Sequence, residues 1–289
     1  MVQPKTNTPS QDKVVLVTGG AKGVGRMISE AFVRNGARVY IASRDAAACH
    51  AACDELNALP TAPTPPSPSS PSGSPGSTGT AIPLPADLSS LAECERLAAA
   101  LAAREPRLHV LVNNSGATWG EAYDSYPDAA WSKLLTLNVQ RVFALTRLLT
   151  PLLESPPPTS SQRKKEVTDD PGRVIHIGSI DALRVPLLPT FAYSASKAAL
   201  HHLSRHLAVE LGPRGVTSNT LACGPFPSRM MAATLRNFGE EIKAANPLGR
   251  IGLPEDVGGA CLFLASRAGA FVNGATLALD GGVSLMSKI

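Results

Sequence analysis

A chain of 289 residues, 44% hydrophobic and 17% charged, has the composition of a globular domain with a sizeable core rather than of a disordered or fibrous protein. The net charge of +4 is mild, and "RKK" (Arg163 to Lys165) stands among polar residues without interleaved aromatics, so no nucleic-acid partner is expected. No apolar run reaches the roughly 18 residues of a membrane span, "MVQPKTNTPSQDK" lacks a secretory pattern, and five scattered cysteines fit free thiols in a reducing compartment.

In chain order, residues 1–12 read as a polar tail, and "VVLVTG" (Val14 to Gly19) as a buried strand ended by glycines. A helix follows from Val24 to Asn35, then a strand over Arg38 to Ser43 and an Ala-rich helix from Asp45 to Leu59. Residues 60–79 are nearly all Pro, Ser, Thr, Gly and Ala, a composition that cannot bury enough apolar surface to order itself. "AIPLPA" comes next, then a helix from Ser89 to Arg104, the strand "LHVLVNN" (Leu108 to Asn114) and a long helical region from Asp128 to Leu153. A second Pro/Ser-rich insert covers 155–172. After it come "RVIHIGS" (Arg173 to Ser179), a helix from Tyr193 to Leu211, and the strands Val216 to Gly224 and Ala275 to Gly282. Strands alternating with helices imply βαβ crossovers, hence a single doubly wound α/β domain over 13–289 with a parallel sheet of about seven strands. Ligands of such sheets bind beyond the carboxyl ends of the strands.

"TGGAKGVG" (Thr18 to Gly25) lies between the first strand and the first helix, where glycines let the backbone approach a pyrophosphate held at the helix N-terminus. An acidic residue at the end of the second strand would select NAD; that place holds Ser43 and Arg44, a hydroxyl and a guanidinium fork suited to a 2′-phosphate. Lys22 adds a second cation. Asp45 is the counter-indication unless it serves only to cap the next helix. The expected cofactor is NADP(H).

"IGSIDALRVPLLPTFAYSASK" (Ile177 to Lys197) contains two chemistries. "SASK" matches the S-x-x-K of serine acyl enzymes, but the S-D-N and K-T-G strings that accompany it are lacking. Tyr193 and Lys197 stand four apart on one helix face, so the ammonium is expected to lower the phenol's pKa from near 10 and make it a usable acid–base group. Ser179, at the end of a strand, can hydrogen-bond a carbonyl oxygen as charge develops on it. His202 and His206 share a helix face without the Glu of H-E-x-x-H or an evident third ligand, so no metal site is expected.

"TGGAKGVG", Asp87 with Leu88, "NNSG" (Asn113 to Gly116), Asn138 in "TLNV", Ser179 and "YSASK" together resemble the short-chain dehydrogenase/reductase family, over essentially all of the chain outside the three polar segments. Two places depart from the family's pattern: Ser115 stands where alanine is usual, and Cys223-Gly224 where Pro-Gly is expected. The resemblance implies a Rossmann-like fold with Ser179, Tyr193, Lys197 and Asn138 as catalytic residues, Lys197 also holding the nicotinamide ribose and Asn138 a relay water. It implies that Thr18, Gly19, Lys22, Gly23, Val24 and Gly25 cradle the cofactor. Ser43 and Arg44 would read its phosphate, Asp87 and Leu88 flank the adenine, Asn114 and Gly116 lie along it, and Phe226 and Ser228 meet the nicotinamide amide.

Leu183, Val185, Leu187, Leu188 and Phe191 favour a substrate with an apolar body, and the segment after Gly224 reads as a lid of short helices. "IGSIDAL" and "FPSRM" are similar to strings of 3-oxoacyl reductases, so reduction of a ketone or 3-oxoacyl group is expected. Polyol or sugar oxidation is the alternative within the enzyme class, and a dinucleotide-binding sensor without turnover the alternative outside it. The family resemblance implies a homotetramer or homodimer joined through the helices at Asp128 to Leu153 and Tyr193 to Leu211. A cytoplasmic location is expected, with a peroxisomal one as the alternative because the chain ends Ser-Lys-Ile.

Overall fold

The computed structural model describes residues 10–60, 79–154 and 170–286. Seven strands form one sheet: β1 (Val14–Thr18), β2 (Arg38–Ala42), β3 (Thr80–Pro83), β4 (Val110–Asn113), β5 (Gly172–Ile177), β6 (Val216–Cys223) and β7 (Thr276–Leu279). Their spatial order is β3-β2-β1-β4-β5-β6-β7 and every pairing is parallel, the doubly wound sheet that the alternating pattern predicts. The strands are apolar because helices cover both faces. Side chains alternate across each strand, so Val15 and Val17 of β1 enter one core while Val14 and Leu16 enter the other.

The first core packs α1 (Gly23–Arg34), α2 (Ala46–Asn57) and α8 (Pro254–Ala265) through Ile28, Phe32, Leu56, Val257, Cys261 and Leu264. The second packs α3 (Leu91–Ala102), α5 (Arg141–Leu153) and α6 (Phe191–Leu211) through Leu97, Leu101, Leu145, Leu149, Leu207 and Leu211. The helical region expected from Asp128 to Leu153 is not one helix. It divides into α4 (Asp128–Leu135), a π turn over Thr136–Gln140, and α5. α7 (Ala232–Ala244) bears no buried residue and kinks at Phe238 (φ −136°, ψ 21°). All five cysteines are buried and free.

The polar segments are shorter than their composition suggests. Ser10 is buried and donates to Asn35 O at 3.0 Å, so residues 10–12 belong to the fold rather than to a tail. Asp170 accepts from Lys13 at 2.8 Å and β5 begins at Gly172, so the second insert ends before 170 because those residues neutralise and complete the sheet. Residues 1–9, 61–78, 155–169 and the Ser-Lys-Ile terminus lie outside the described residues, as do the inserts expected there. Among the described residues no helix is long and apolar enough to cross a membrane.

Candidate active site

The strand order reverses between β1 and β4, and this is where the carboxyl ends of a parallel sheet leave a crevice. A cavity of about 2190 Å³ opens there. It is lined by Gly19, Lys22, Gly23, Val24, Gly25, Ser43, Arg44, Asp87, Leu88, Asn114, Gly116, Ser179, Tyr193, Lys197, Phe226 and Ser228. Sixteen of the eighteen residues expected at the site therefore meet on one surface. The other two, Thr18 and Asn138, sit behind it.

Thr18 is buried behind the cavity wall. Its hydroxyl donates to Val112 O at 3.2 Å and accepts from the N–H groups of Asn114 (2.9 Å) and Ser115 (3.0 Å), pinning the end of β1 to the end of β4. Asn114 completes this pin by donating to Thr18 O at 2.9 Å. In the glycine turn, a Cβ on Gly25 would lie 2.2 Å from Gly19 O, so only glycine allows α1 to start this close to β1. The first turn of α1 is thus presented bare, in the form that binds a pyrophosphate.

At the end of β2, Arg44 is exposed on the cavity wall and makes no hydrogen bond or ion pair among the described residues. Asp45 is otherwise engaged. It accepts from Ala48 N at 3.0 Å as the N-cap of α2 and pairs with Lys22 at 3.2 Å, and the cap and then the lysine hold its carboxyl below the usual range. The acidic residue that argued against a 2′-phosphate therefore caps a helix, and the arginine beside it is free to bind one.

The reacting corner is built by β5, α6 and the π turn. Ser179, just past β5, accepts from Asp181 N at 3.1 Å. Lys197 donates to Ile177 O at 2.8 Å, and its ammonium lies 5.7 Å from the centroid of the Tyr193 ring. Asn138, on the π turn, clamps Ala117 with two bonds of 3.0 Å, to N–H and C=O, and donates to Ser196 Oγ at 3.0 Å. A Cβ on Gly116 would meet Asn138 Oδ1 at 3.2 Å and Lys197 Nζ at 3.6 Å, so glycine is what lets these two groups converge. Single-turn π insertions of this kind re-aim a side chain within an otherwise regular helix.

The lysine does not lower the tyrosine as the spacing suggests. Burial pushes the Tyr193 phenol up to about 12, with Ser179 opposing through a hydrogen bond and Asp181 adding to the rise. Burial likewise pulls Lys197 down to about 8. The reason is geometric: the ammonium is turned to the Ile177 carbonyl and lies against the ring face rather than at the hydroxyl.

Two residues that support the site have no role in the sequence reading. Ser196 receives Asn138 while donating to Tyr193 O at 2.7 Å. His201, rather than its neighbour His202, reaches the site, where its Nε2 accepts from Ser179 N at 3.4 Å. Burial drops that imidazole to about 4, so it stays the neutral acceptor this bond requires. The four-residue step from Lys197 to His201 is the available signal, since it places both on one face of α6. His202 and His206 pack edge to face at 4.9 Å, and no cluster of three metal-ligating side chains occurs among the described residues.

Residues 75–284 match the family described as enoyl-(acyl carrier protein) reductase, and residues 13–65 match that described as short chain dehydrogenase. The chain belongs to the short-chain dehydrogenase/reductase family. Among its relatives is the rhamnolipids biosynthesis 3-oxoacyl-[acyl-carrier-protein] reductase of Pseudomonas aeruginosa, 39% identical over 94% of this chain and 96% of that one. Galactitol 2-dehydrogenase (L-tagatose-forming) of Cereibacter sphaeroides is 33% identical over 93% and 94% of the two chains. A solved structure, the Pseudomonas aeruginosa RhlG/NADP active-site complex, superposes with a TM-score of 0.82 at 38% identity, covering 97% of this chain and 99% of that one. As a short-chain dehydrogenase/reductase, the protein is an oxidoreductase built on the Rossmann-like fold.

Proposed function

We propose that this oxidoreductase reduces a ketone or 3-oxoacyl group to a secondary alcohol with NADPH, Tyr193 supplying the proton. The observation that carries the reading is the meeting of Ser179, Tyr193 and Lys197 on one cavity wall whose mouth is apolar. Val185, Leu187, Leu188, Met230 and Phe238 are all exposed around it, a rim suited to the body of an apolar substrate, whereas Leu183 is exposed outside the lining. The glycine turn and the free Arg44 fit NADP(H), as does the likeness to a relative solved with NADP. Bound there, the cofactor would supply the hydride.

The chain's own groups would do the rest. Gly19, Gly23, Val24 and Gly25 hold the pyrophosphate, Ser43 and Arg44 the 2′-phosphate with Lys22 nearby, and Asp87 and Leu88 the adenine. Phe226 and Ser228 meet the carboxamide, and Asn114 and Gly116 line the path between. Ser179 donates to the carbonyl oxygen, and Tyr193 transfers its proton there as negative charge develops. With a phenol near 12, Tyr193 is protonated at neutral pH, the form that reduction uses. Lys197 orients the ribose, while Asn138 holds the loop at Ala117 beside the reacting corner.

The test is NADPH oxidation against a panel of 3-oxoacyl thioesters, simple ketones and polyols, with Tyr193→Phe as control. Turnover of ketones, lost in the control while NADPH still binds, is expected; a panel with no turnover would leave the dinucleotide-binding sensor as the reading. Similarity to galactitol 2-dehydrogenase favours polyol oxidation as the second reading, which faster turnover of polyols with NADP+ would establish. Arg44→Ala should weaken NADPH binding about tenfold or more and leave NADH binding nearly unchanged. Exposed Trp131, Leu135, Phe143 and Val209 on α4, α5 and α6 support assembly through those helices, and sedimentation should show a dimer or tetramer.

A further inference from the structure

Asp181 stands two residues after Ser179, and its backbone N–H holds the Ser179 hydroxyl at 3.1 Å. Any residue but proline could make that bond, so it does not explain a carboxyl at this position. The side chain lines the same cavity as Tyr193 and is half-buried there. It forms no hydrogen bond or ion pair among the described residues. Two charged or titratable groups face it: Tyr193, whose proton it helps retain, and Arg184, whose guanidinium donates instead to Val283 O at 3.3 Å. Burial raises the Asp181 carboxyl above its ordinary value, the mark of an acceptor held out of water without a donor. The rim carries apolar Val185, Leu187, Leu188 and Phe238 beside polar Arg184, Thr190 and Ser284. A carboxyl acceptor on the same wall as Tyr193, with an apolar stretch of rim beyond it, specifies the substrate on both sides of its carbonyl.

Resting on the ketone-reductase reading, we infer that Asp181 is a specificity residue that accepts a hydrogen bond from a hydroxyl on the carbon next to the substrate's reacting carbonyl. The substrate class is then a hydroxyketone with an apolar tail, and its reduction product a vicinal diol. The tail lies along Val185, Leu187 and Phe238, and the hydroxyl turns inward to the carboxylate. The same carboxylate repels a substrate that carries an anionic group at that carbon.

The experiment compares a long-chain hydroxymethyl ketone with the methyl ketone of equal chain length, in the wild type, Asp181→Ala and Asp181→Asn. Hydrogen bonds to charged groups predict at least about a tenfold higher kcat/KM for the hydroxyketone in the wild type. Asp181→Ala should bring that ratio to within about twofold of one, and Asp181→Asn, which keeps an acceptor oxygen, should retain part of it. NADPH binding, followed by fluorescence, checks that each variant is folded. The same pair of ketones is titrated calorimetrically into the enzyme with NADP+, which yields the ratio even if neither is reduced, so loss of turnover counts against the function and not against Asp181. Equal handling of the two ketones by the wild type, or a preference that survives Asp181→Ala, overturns the assignment.

Discussion

At the amino-terminal end of the sheet Arg173 is 1% exposed, and at the carboxyl end Lys197 is 5% exposed, so each end of the sheet holds a buried cation. Their surroundings differ. Arg173 donates to Leu264 O (2.9 Å), Ser266 O (2.9 Å), Pro171 O and Asp170 (3.2 Å), and Lys13 joins it on Asp170 and on Ala265 O. The Leu264, Ala265 and Ser266 carbonyls end α8, where the helix dipole is negative, and Asp170 adds a full negative charge. Lys197 has one carbonyl, Ile177 O, and no carboxylate in ion-pair reach among the described residues. The first cation is neutralised and ties β1, β5 and α8 together. The second meets a single carbonyl; burial lowers the pKa of both cations, that of Lys197 to about 8.

The contrast can be broken most sharply at the active end. Tyr193→Phe should reduce kcat by about a thousandfold or more, judged from NADPH oxidation, because it removes the hydroxyl proposed to give the proton. Lys197→Met should cost a similar factor and yet raise Tm by roughly 2–4 °C, since an unbalanced buried charge is replaced by a packed thioether. A fall in Tm would mean that Lys197 is stabilised by more than the Ile177 carbonyl. Asn138→Ala, which frees the loop at Ala117, should lower kcat by about a hundredfold, with NADPH affinity changed far less.

Reduction should also decline as pH rises through about 8, because Lys197 loses its proton there while Tyr193, near 12, keeps its own. In Lys197→Arg, whose side chain stays charged, that limb of the kcat/KM profile should vanish; if it persists at the same pH, another group is responsible. The smallest effect belongs to the other end. Asp170→Ala strips a shared, partly exposed carboxylate from Lys13 and Arg173 and should cost about 2 kcal/mol, or roughly 4 °C in Tm, with kcat within about twofold of wild type.

The strands are legible in the sequence because a parallel sheet covered on both faces needs unbroken apolar runs, and "VVLVTG" and "LHVLVNN" can be little else. Ser179, Tyr193 and Lys197 are legible for a related reason: each sits at a strand end or on the helix after it, at a spacing that a local pattern preserves. α8 escapes the same reading. Paired glycines and the run "ACLFLA" blur its periodicity, although Pro254 at its first turn and acidic Glu255 and Asp256 are ordinary helix-start signals. The π turn escapes too, since nothing in "TLNV" announces one extra residue per turn. Nor can the sequence weigh burial against charge, which is why the Tyr193 phenol lies higher than its lysine neighbour implies. His201 and Ser196 act through contacts set by the fold, with His202 an equally plausible histidine until α6 is placed.

The two Pro/Ser-rich segments return to the sheet at Gly79, which donates to Val33 O at 2.8 Å, and at Gly172, which donates to Gly215 O at 2.9 Å. Both returns lead into the amino-terminal ends of strands, and the cavity lies at the other ends. For the engineer, these two joins are where to splice in a reporter or an affinity handle, with unchanged NADPH oxidation as the check that the site survives.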